Sequence, residues 1–199
     1  MAISGIILSG GRATRMGGVD KGLVRLQNQP LIQHVIKRIT PQVDEVLINA
    51  NREIPVYQTF GHTVLQDSHA DFIDAYIGPL AGFSLGLQHA RHDYVLTLPC
   101  DSPLLPLDLA HRLFAHLTEQ KADIAVASSE GNAHPVFSLC KKTVAHSLNE
   151  YLVSGERRVS AWQKSLAYIE VDFSDQLDAF INLNTREDLA ALELKLSRI

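Results

Sequence analysis

The run Leu8-Ser9-Gly10-Gly11-Arg12-Ala13-Thr14-Arg15-Met16-Gly17-Gly18-Val19-Asp20-Lys21 gathers four glycines and three cations directly behind an apolar segment. Glycines let backbone approach an anion closely and turn successive N–H groups towards it, while Arg12, Arg15 and Lys21 can spread positive charge over several phosphate oxygens. This is chemistry for a triphosphate. A P-loop would need Gly-Lys-Ser/Thr after four spacer residues, and a dinucleotide fold would need G-x-G-x-x-G; neither order occurs here. A glycine-rich turn carrying solvated basic residues is the non-functional alternative. A second signal is Leu98-Pro99-Cys100-Asp101-Ser102-Pro103, an aspartate just past an apolar run and held between two prolines. A carboxylate at a strand's carboxyl end can hold Mg²⁺ against a triphosphate, because that ion takes one or two carboxylates together with substrate phosphates. Asp101 is therefore the expected metal ligand, with turn capping as its bland alternative.

Weaker signals surround these two. Gly78-Pro79-Leu80-Ala81-Gly82 is a turn entering a helix whose small residues permit close approach of backbone to ligand or sheet. Asn49, Asn51 and Asp67 each end an apolar run, and Asn182 and Asn184 stand before the last helical segment, which Thr185 or Asn184 could simply cap. Cys100 has no visible base beside it and reads as a small buried residue. His89/His92 and His111/His116 lack the Cys, acidic or i,i+4 partners of a zinc site.

These residues must be carried by an alternating pattern. Residues 3–8 form a short β-branched run, as a buried strand does; Leu31, Ile32, Val35, Ile36 and Ile39 fall at helical spacing behind Pro30; residues 45–50 give a second strand. A third strand at 62–66, a helix at 79–90, a strand at 94–98, a helix at 106–118 and a strand at 122–127 continue the alternation. Strands separated by helices of this length predict an α/β fold with a mostly parallel central sheet flanked by helices, and ligands outside the strands' carboxyl ends. The functional loops are then those after Leu8, Ala50, Gln66 and Leu98. The last third reads as strand 135–139, helix 143–152, short strands 167–171 and 179–183, and a closing helix 186–195, a small antiparallel addition.

With 199 residues, 46% apolar and 20% charged content, and no linker or repeat, one domain is expected. A net charge of -4 offers no basic footprint for nucleic acid. No apolar run approaches the length of a membrane span, the start lacks a secretory signal, and two distant cysteines suit a reducing compartment, so a cytoplasmic protein is expected.

Taken in order, L-S-G-G-R-A-T-R-M-G-G-V-D-K, N-A-N-R, G-P-L-A-G, P-C-D-S-P, H-P, G-E-R-R-V and F-I-N-L-N-T resemble the molybdenum cofactor guanylyltransferase family, from about Gly5 to Leu189. The first motif is shared with nucleotidyltransferases acting on sugar phosphates; the N-A-N, G-E-R-R-V and N-x-N-T segments narrow it. The resemblance implies a Rossmann-like fold, GTP and Mg²⁺, and transfer of GMP to the phosphate of molybdenum-bound molybdopterin. Carried over by motif, Leu8, Ser9 and Gly10 would line the guanine pocket with Gly11 and Arg12 beside them, Arg15 and Lys21 would bind phosphates, Asn49 and Asp67 would contact the nucleoside, and Asp101 would hold Mg²⁺. Gly78 and Gly82 would allow close approach, while Asn182, Asn184 and the turn Gly155-Glu156-Arg157-Arg158 would face the pterin. The nucleotide would sit in the half at about 1–105 and the acceptor in the half at about 106–199. Transient contacts with molybdopterin-inserting proteins and apo-molybdoenzymes would follow. Ser9 stands where the family usually has alanine, and the stretch 71–77 is about four residues longer than usual, a tolerable change for a surface loop.

An acceptor phosphate needs no general base, so the lack of a Ser/His/Asp set agrees with this reaction. The competing expectations are a cytidylyl- or sugar-phosphate nucleotidyltransferase of the same fold, and a carrier module without chemistry. A carrier would have no use for Asp101 and Lys21.

Overall fold

The computed structural model describes residues 2–10, 20–67, 78–183 and 185–197. The chain opens with β1 (Ile3–Leu8), buried along nearly its whole length. A 3-10 turn at Lys21–Leu23 leads to a hairpin of β2 (Arg25–Leu26) and β3 (Gln29–Pro30), whose corner residues Gln27 and Asn28 both have positive φ, +47° and +64°. That double left-handed pair matches the twist of a tight hairpin. Next come α1 (Leu31–Ile39), β4 (Glu45–Asn49), α2 (Ile54–Gln58), β5 (Thr63–Leu65), α3 (Pro79–His89) and β6 (Tyr94–Pro99). The rest comprises α4 (Leu109–Glu119), β7 (Ile124–Ser129), β8 (Asn132–Lys141), α5 (Ala145–Val153), α6 (Val159–Lys164), β9 (Tyr168–Asp172) and α7 (Arg186–Leu196).

Seven strands form one sheet in the order β5-β4-β1-β6-β8-β7-β9. β1 pairs in parallel with β4 and β6, β4 with β5, and β7 with β9; only β8 runs against its neighbours. Alternate residues of β1 feed opposite layers, as the two-residue period of a strand requires. Ile3 and Ile7 pack with Ile32, Val35 and Ile39 of α1 and with Leu109 and Leu113 of α4. Ile6 joins Leu80, Phe83 and Leu87 of α3 and, further along, Leu148 and Trp162. Both faces are thus covered, which is why β1, β4 and β6 are predominantly apolar along their length.

Three expectations change. Residues 179–183 are not a strand: Ser174–Phe180 coils in 3-10 turns broken at Gln176, and Leu183 donates its N–H to the carbonyl of Asp101 at 3.1 Å. Phe180 is drawn inward by rings, stacking on His134 at 4.4 Å and meeting Phe137 edge-on at 5.0 Å. The helix expected from Pro106 begins at Leu109, because the Pro106 carbonyl is taken by Gln42 Nε2. The antiparallel contribution of the last third is β8 alone, since β9 runs parallel to β7.

Candidate active site

The parallel strands end at one edge, and the loops expected to be functional leave from it. Ser9, following β1, donates its N–H to the carbonyl of Asn49 at 2.8 Å, and Ala50 donates to the carbonyl of Leu65 at 3.0 Å, so the three strand ends are laced side by side. Asn49 Nδ2 donates to Asp67 Oδ1 at 2.9 Å, and Asn51 Nδ2 to Asp67 Oδ2 at 2.6 Å, with Asp67 N returning a bond to Asn51 Oδ1 at 2.9 Å. Asn49 is buried, and its amide is oriented by a carboxylate from the neighbouring strand end. Asn51, whose local pattern fits a strand terminus, is half of this clamp.

Glycines frame the same point. A Cβ on Gly10 would lie 2.9 Å from both Asn49 Oδ1 and Asn51 Nδ2, and one on Gly82 would lie 2.5 Å from Leu8 Cδ2 and 2.8 Å from Asn49 Oδ1. Leu8, Gly10, Asn49 and Gly82 therefore meet because two of them lack side chains. Gly78 precedes α3 with φ +66° and ψ -148°, a conformation essentially reserved for glycine, and delivers the helix N-terminus behind it.

Beside this cradle the ammonium of Lys21 forms an ion pair with Asp101 Oδ2. The pair is unevenly exposed, 29% for the Lys21 side chain and 7% for that of Asp101, so the carboxylate is rooted in protein and the ammonium lies nearer solvent. Lys21 opens a 3-10 turn whose cap is Asp20, with Asp20 Oδ1 accepting the N–H of Gly22 at 3.2 Å. Tyr57 of α2 donates its phenol proton to the same oxygen. Burial raises the Asp20 carboxyl above the ordinary range against the opposing pull of these two bonds. Cys100 is wholly enclosed; burial first, and then the charge of Asp101, push its thiol up to about 12, so it is inert packing as expected. On the far side, Ser102 donates its hydroxyl to Asn182 Oδ1 at 2.6 Å. Thr185, one of the two expected caps, caps α7 in a reciprocal box with Asp188.

The structure thus brings together Leu8, Ser9, Gly10, Asn49, Asp67 and Gly82, and likewise joins Lys21, Asp101 and, through Ser102, Asn182. Gly11, Arg12, Arg15, Asn184 and the stretch 71–77 lie outside the described residues. Arg157 of the pterin-side turn donates to the carbonyls of Leu152 and Glu156, and Arg158 caps α6. Asp20 and Tyr57 carry no expectation from sequence; an Asx-type cap two residues before Gly22 was legible in principle, whereas Tyr57 has no local signal at all. Among the described residues no three His, Cys, Asp or Glu side chains converge as a metal cage. A single rooted carboxylate is nevertheless the donor set that Mg²⁺ uses when phosphates complete its shell.

A sheet edge of this kind, with a glycine-lined cradle and a Lys–Asp pair, defines a nucleotidyltransferase, and residues 5–169 match the family model described as "MobA-like NTP transferase domain". A molybdenum cofactor guanylyltransferase from Shewanella piezotolerans is 48% identical over 94% of this chain and 90% of its own length. Another, from Shewanella sp. strain MR-4, is 43% identical over 100% of this chain and 98% of its own. The chain belongs to the molybdenum cofactor guanylyltransferase family. The fold is shared more widely: molybdopterin-guanine dinucleotide biosynthesis protein A from Archaeoglobus fulgidus superposes with TM-score 0.78 at 19% identity, covering 98% of this chain and 100% of that one. A 4-diphosphocytidyl-2C-methyl-D-erythritol synthase from Anaerococcus prevotii gives 0.77 at 13% identity, covering 99% and 96%. Among the described residues no helix is long and apolar enough to cross a membrane.

Proposed function

We propose that this protein transfers GMP from GTP to the phosphate of molybdenum-bound molybdopterin, yielding the guanine dinucleotide cofactor and pyrophosphate. The observation that carries the proposal is the Lys21–Asp101 pair beside the Leu8–Gly10–Asn49–Gly82 cradle, in a chain 48% identical to a molybdenum cofactor guanylyltransferase. An acceptor phosphate oxygen forms the new bond to the α-phosphorus as the bond to the pyrophosphate oxygen breaks in line. The protein's work is positioning and charge neutralisation. The acceptor is already ionised, so no proton need be removed.

Leu8, Ser9 and Gly10 line the guanine side, with Gly78 and Gly82 keeping α3 close. Asn49 and Asp67 face the nucleoside, and Gly11, Arg12, Arg15 and Lys21 take the phosphates. Asp101 would hold Mg²⁺, which supplies charge neutralisation on the phosphates when bound. Asn182, Asn184 and the 155–158 turn face the pterin, so that the nucleotide occupies the half at 1–105 and the acceptor the half at 106–199. The protein works in the cytoplasm and passes product to molybdopterin-inserting proteins and apo-molybdoenzymes. Pyrophosphate release with GTP, ATP, CTP or UTP, each with and without molybdenum-loaded molybdopterin, tests the assignment. Release that needs both GTP and acceptor is expected, and equal turnover with CTP overturns the guanine assignment.

A further inference from the structure

Three segments without a shared motif meet in one buried place beneath the Lys21–Asp101 pair. Tyr57 is fully enclosed and its hydroxyl reaches Asp20. Asp20 is 6% exposed, and its Oδ2 is buried without a hydrogen-bond partner among the described residues. Gly22 passes so close that a Cβ there would lie 2.6 Å from the Tyr57 hydroxyl and 3.3 Å from Cys100 Cβ. Lys21 lies between Asp20 and Gly22, and Asp101 follows Cys100, so both charged groups are immediate chain neighbours of this contact.

A buried carboxylate that accepts one side-chain bond and caps one turn is a costly arrangement in an apolar setting. Packing alone does not require it: Phe would fill the Tyr57 site and Ser would cap the Gly22 N–H. What the pair uniquely does is tie the 20–22 turn to α2, which the chain enters from the Asn49–Asn51 loop through Glu53, at φ +49°. The Lys21 turn is thereby fixed relative to the nucleoside clamp as well as to Asp101.

We propose that Tyr57 is a positioning residue for nucleotidyl transfer, acting through Asp20 to aim the Lys21 ammonium at the triphosphate beside Asp101. The proposal rests on the role given to Lys21 under the proposed function. In a double-mutant cycle, Tyr57→Phe alone lowers kcat/KM for GTP roughly tenfold, the scale of one lost hydrogen bond. In a Lys21→Ala background it has no further effect, because its target is gone. Asp20→Ser, which keeps a cap but cannot reach the phenol, gives the same loss and the same non-additivity, and serves if Tyr57→Phe folds poorly. Melting temperatures are read alongside every variant. Losses that add independently to that of Lys21→Ala, or a Tyr57→Phe protein with normal kcat/KM, overturn the proposal. Normal turnover of Lys21→Ala alone would instead remove the role of Lys21 on which it stands.

Discussion

The ammonium of Lys21 rests on the carboxylate of Asp101, so the groups assigned to phosphate and to cation are each other's counter-ion. Two elements distant in sequence are brought together by the parallel pairing of β1 with β6, which sets Leu8 level with Pro99. Were a triphosphate to bind with a cation as proposed, Lys21 would exchange this partner for phosphate and Asp101 for the cation, so that one ion pair would be replaced by two.

Asp101→Asn therefore separates stability from turnover. The amide keeps the shape and can still accept from Lys21, so the melting temperature without nucleotide stays near that of the parent. Pyrophosphate release falls at least roughly a hundredfold, the scale of one deleted element of transition-state charge stabilisation. Normal turnover in a Mg²⁺ titration would place the cation elsewhere, and an unfolded variant would make Asp101 a structural cap.

Lys21→Ala behaves differently on both counts. Calorimetry should show GTP affinity reduced roughly ten- to a hundredfold, the loss of one charge-assisted contact. Its melting temperature should also fall, because Asp101, 7% exposed, loses its partner. Unchanged GTP affinity would reduce the 8–21 loop to a turn.

Gly82→Ala sets two effects against each other. Alanine is favoured over glycine within a helix by up to about 1 kcal/mol. Here the added methyl would meet Leu8 Cδ2 and Asn49 Oδ1 inside ordinary contact distance, and overpacking of this kind costs about 1–3 kcal/mol. The clash should win, giving lower denaturant stability together with weaker GTP binding through a displaced Asn49. A more stable variant with parental affinity would show that the α3 approach is looser than these contacts.

Much of this was legible from residue order. The apolar run of β1, the glycines behind it and an acid between two prolines each have a local cause, so the sheet edge and Asp101 could be placed from spacing alone. The β2–β3 hairpin escaped because its corner is Gln27-Asn28 rather than an Asn-Gly pair, and α6 because six residues are too few to show a period. The 179–183 segment differs for another reason: Phe180 is held by a stacked contact with His134 and edge-on contacts with Phe137 and Phe173, which leave no alternating pattern. The cap made by Asp20 has a local signal, but its contact with Tyr57, 37 residues on, has none.

Acid stability should depend on Glu45, at the opposite end of the sheet. Burial opposes its ionisation, but the Arg91 N–H, the Ser4 hydroxyl and the Arg91 guanidinium together hold its carboxyl below the ordinary 4.5. A depressed carboxyl stabilises the fold above the unfolded value, and that contribution is lost as pH falls through the folded one. Glu45→Gln should thus melt lower than the parent at pH 7, and the two melting curves should converge as pH drops below about 4. Parallel curves across that window would show that the charge of Glu45 contributes nothing.

The place of β1 in the strand order also bears on how the protein is made. β1, the first strand of this sheet to be synthesised, is flanked on both sides in the finished sheet, by β4 and by β6. Its first partner follows soon, but its second edge stays open until Tyr94–Pro99 has been synthesised. A nascent chain stalled before that point would present one unpaired edge of a largely apolar strand, the kind of edge that seeks other chains. Polypeptides truncated ahead of β6 should accumulate as aggregates or chaperone clients, and only chains carried past it can bury both edges of β1.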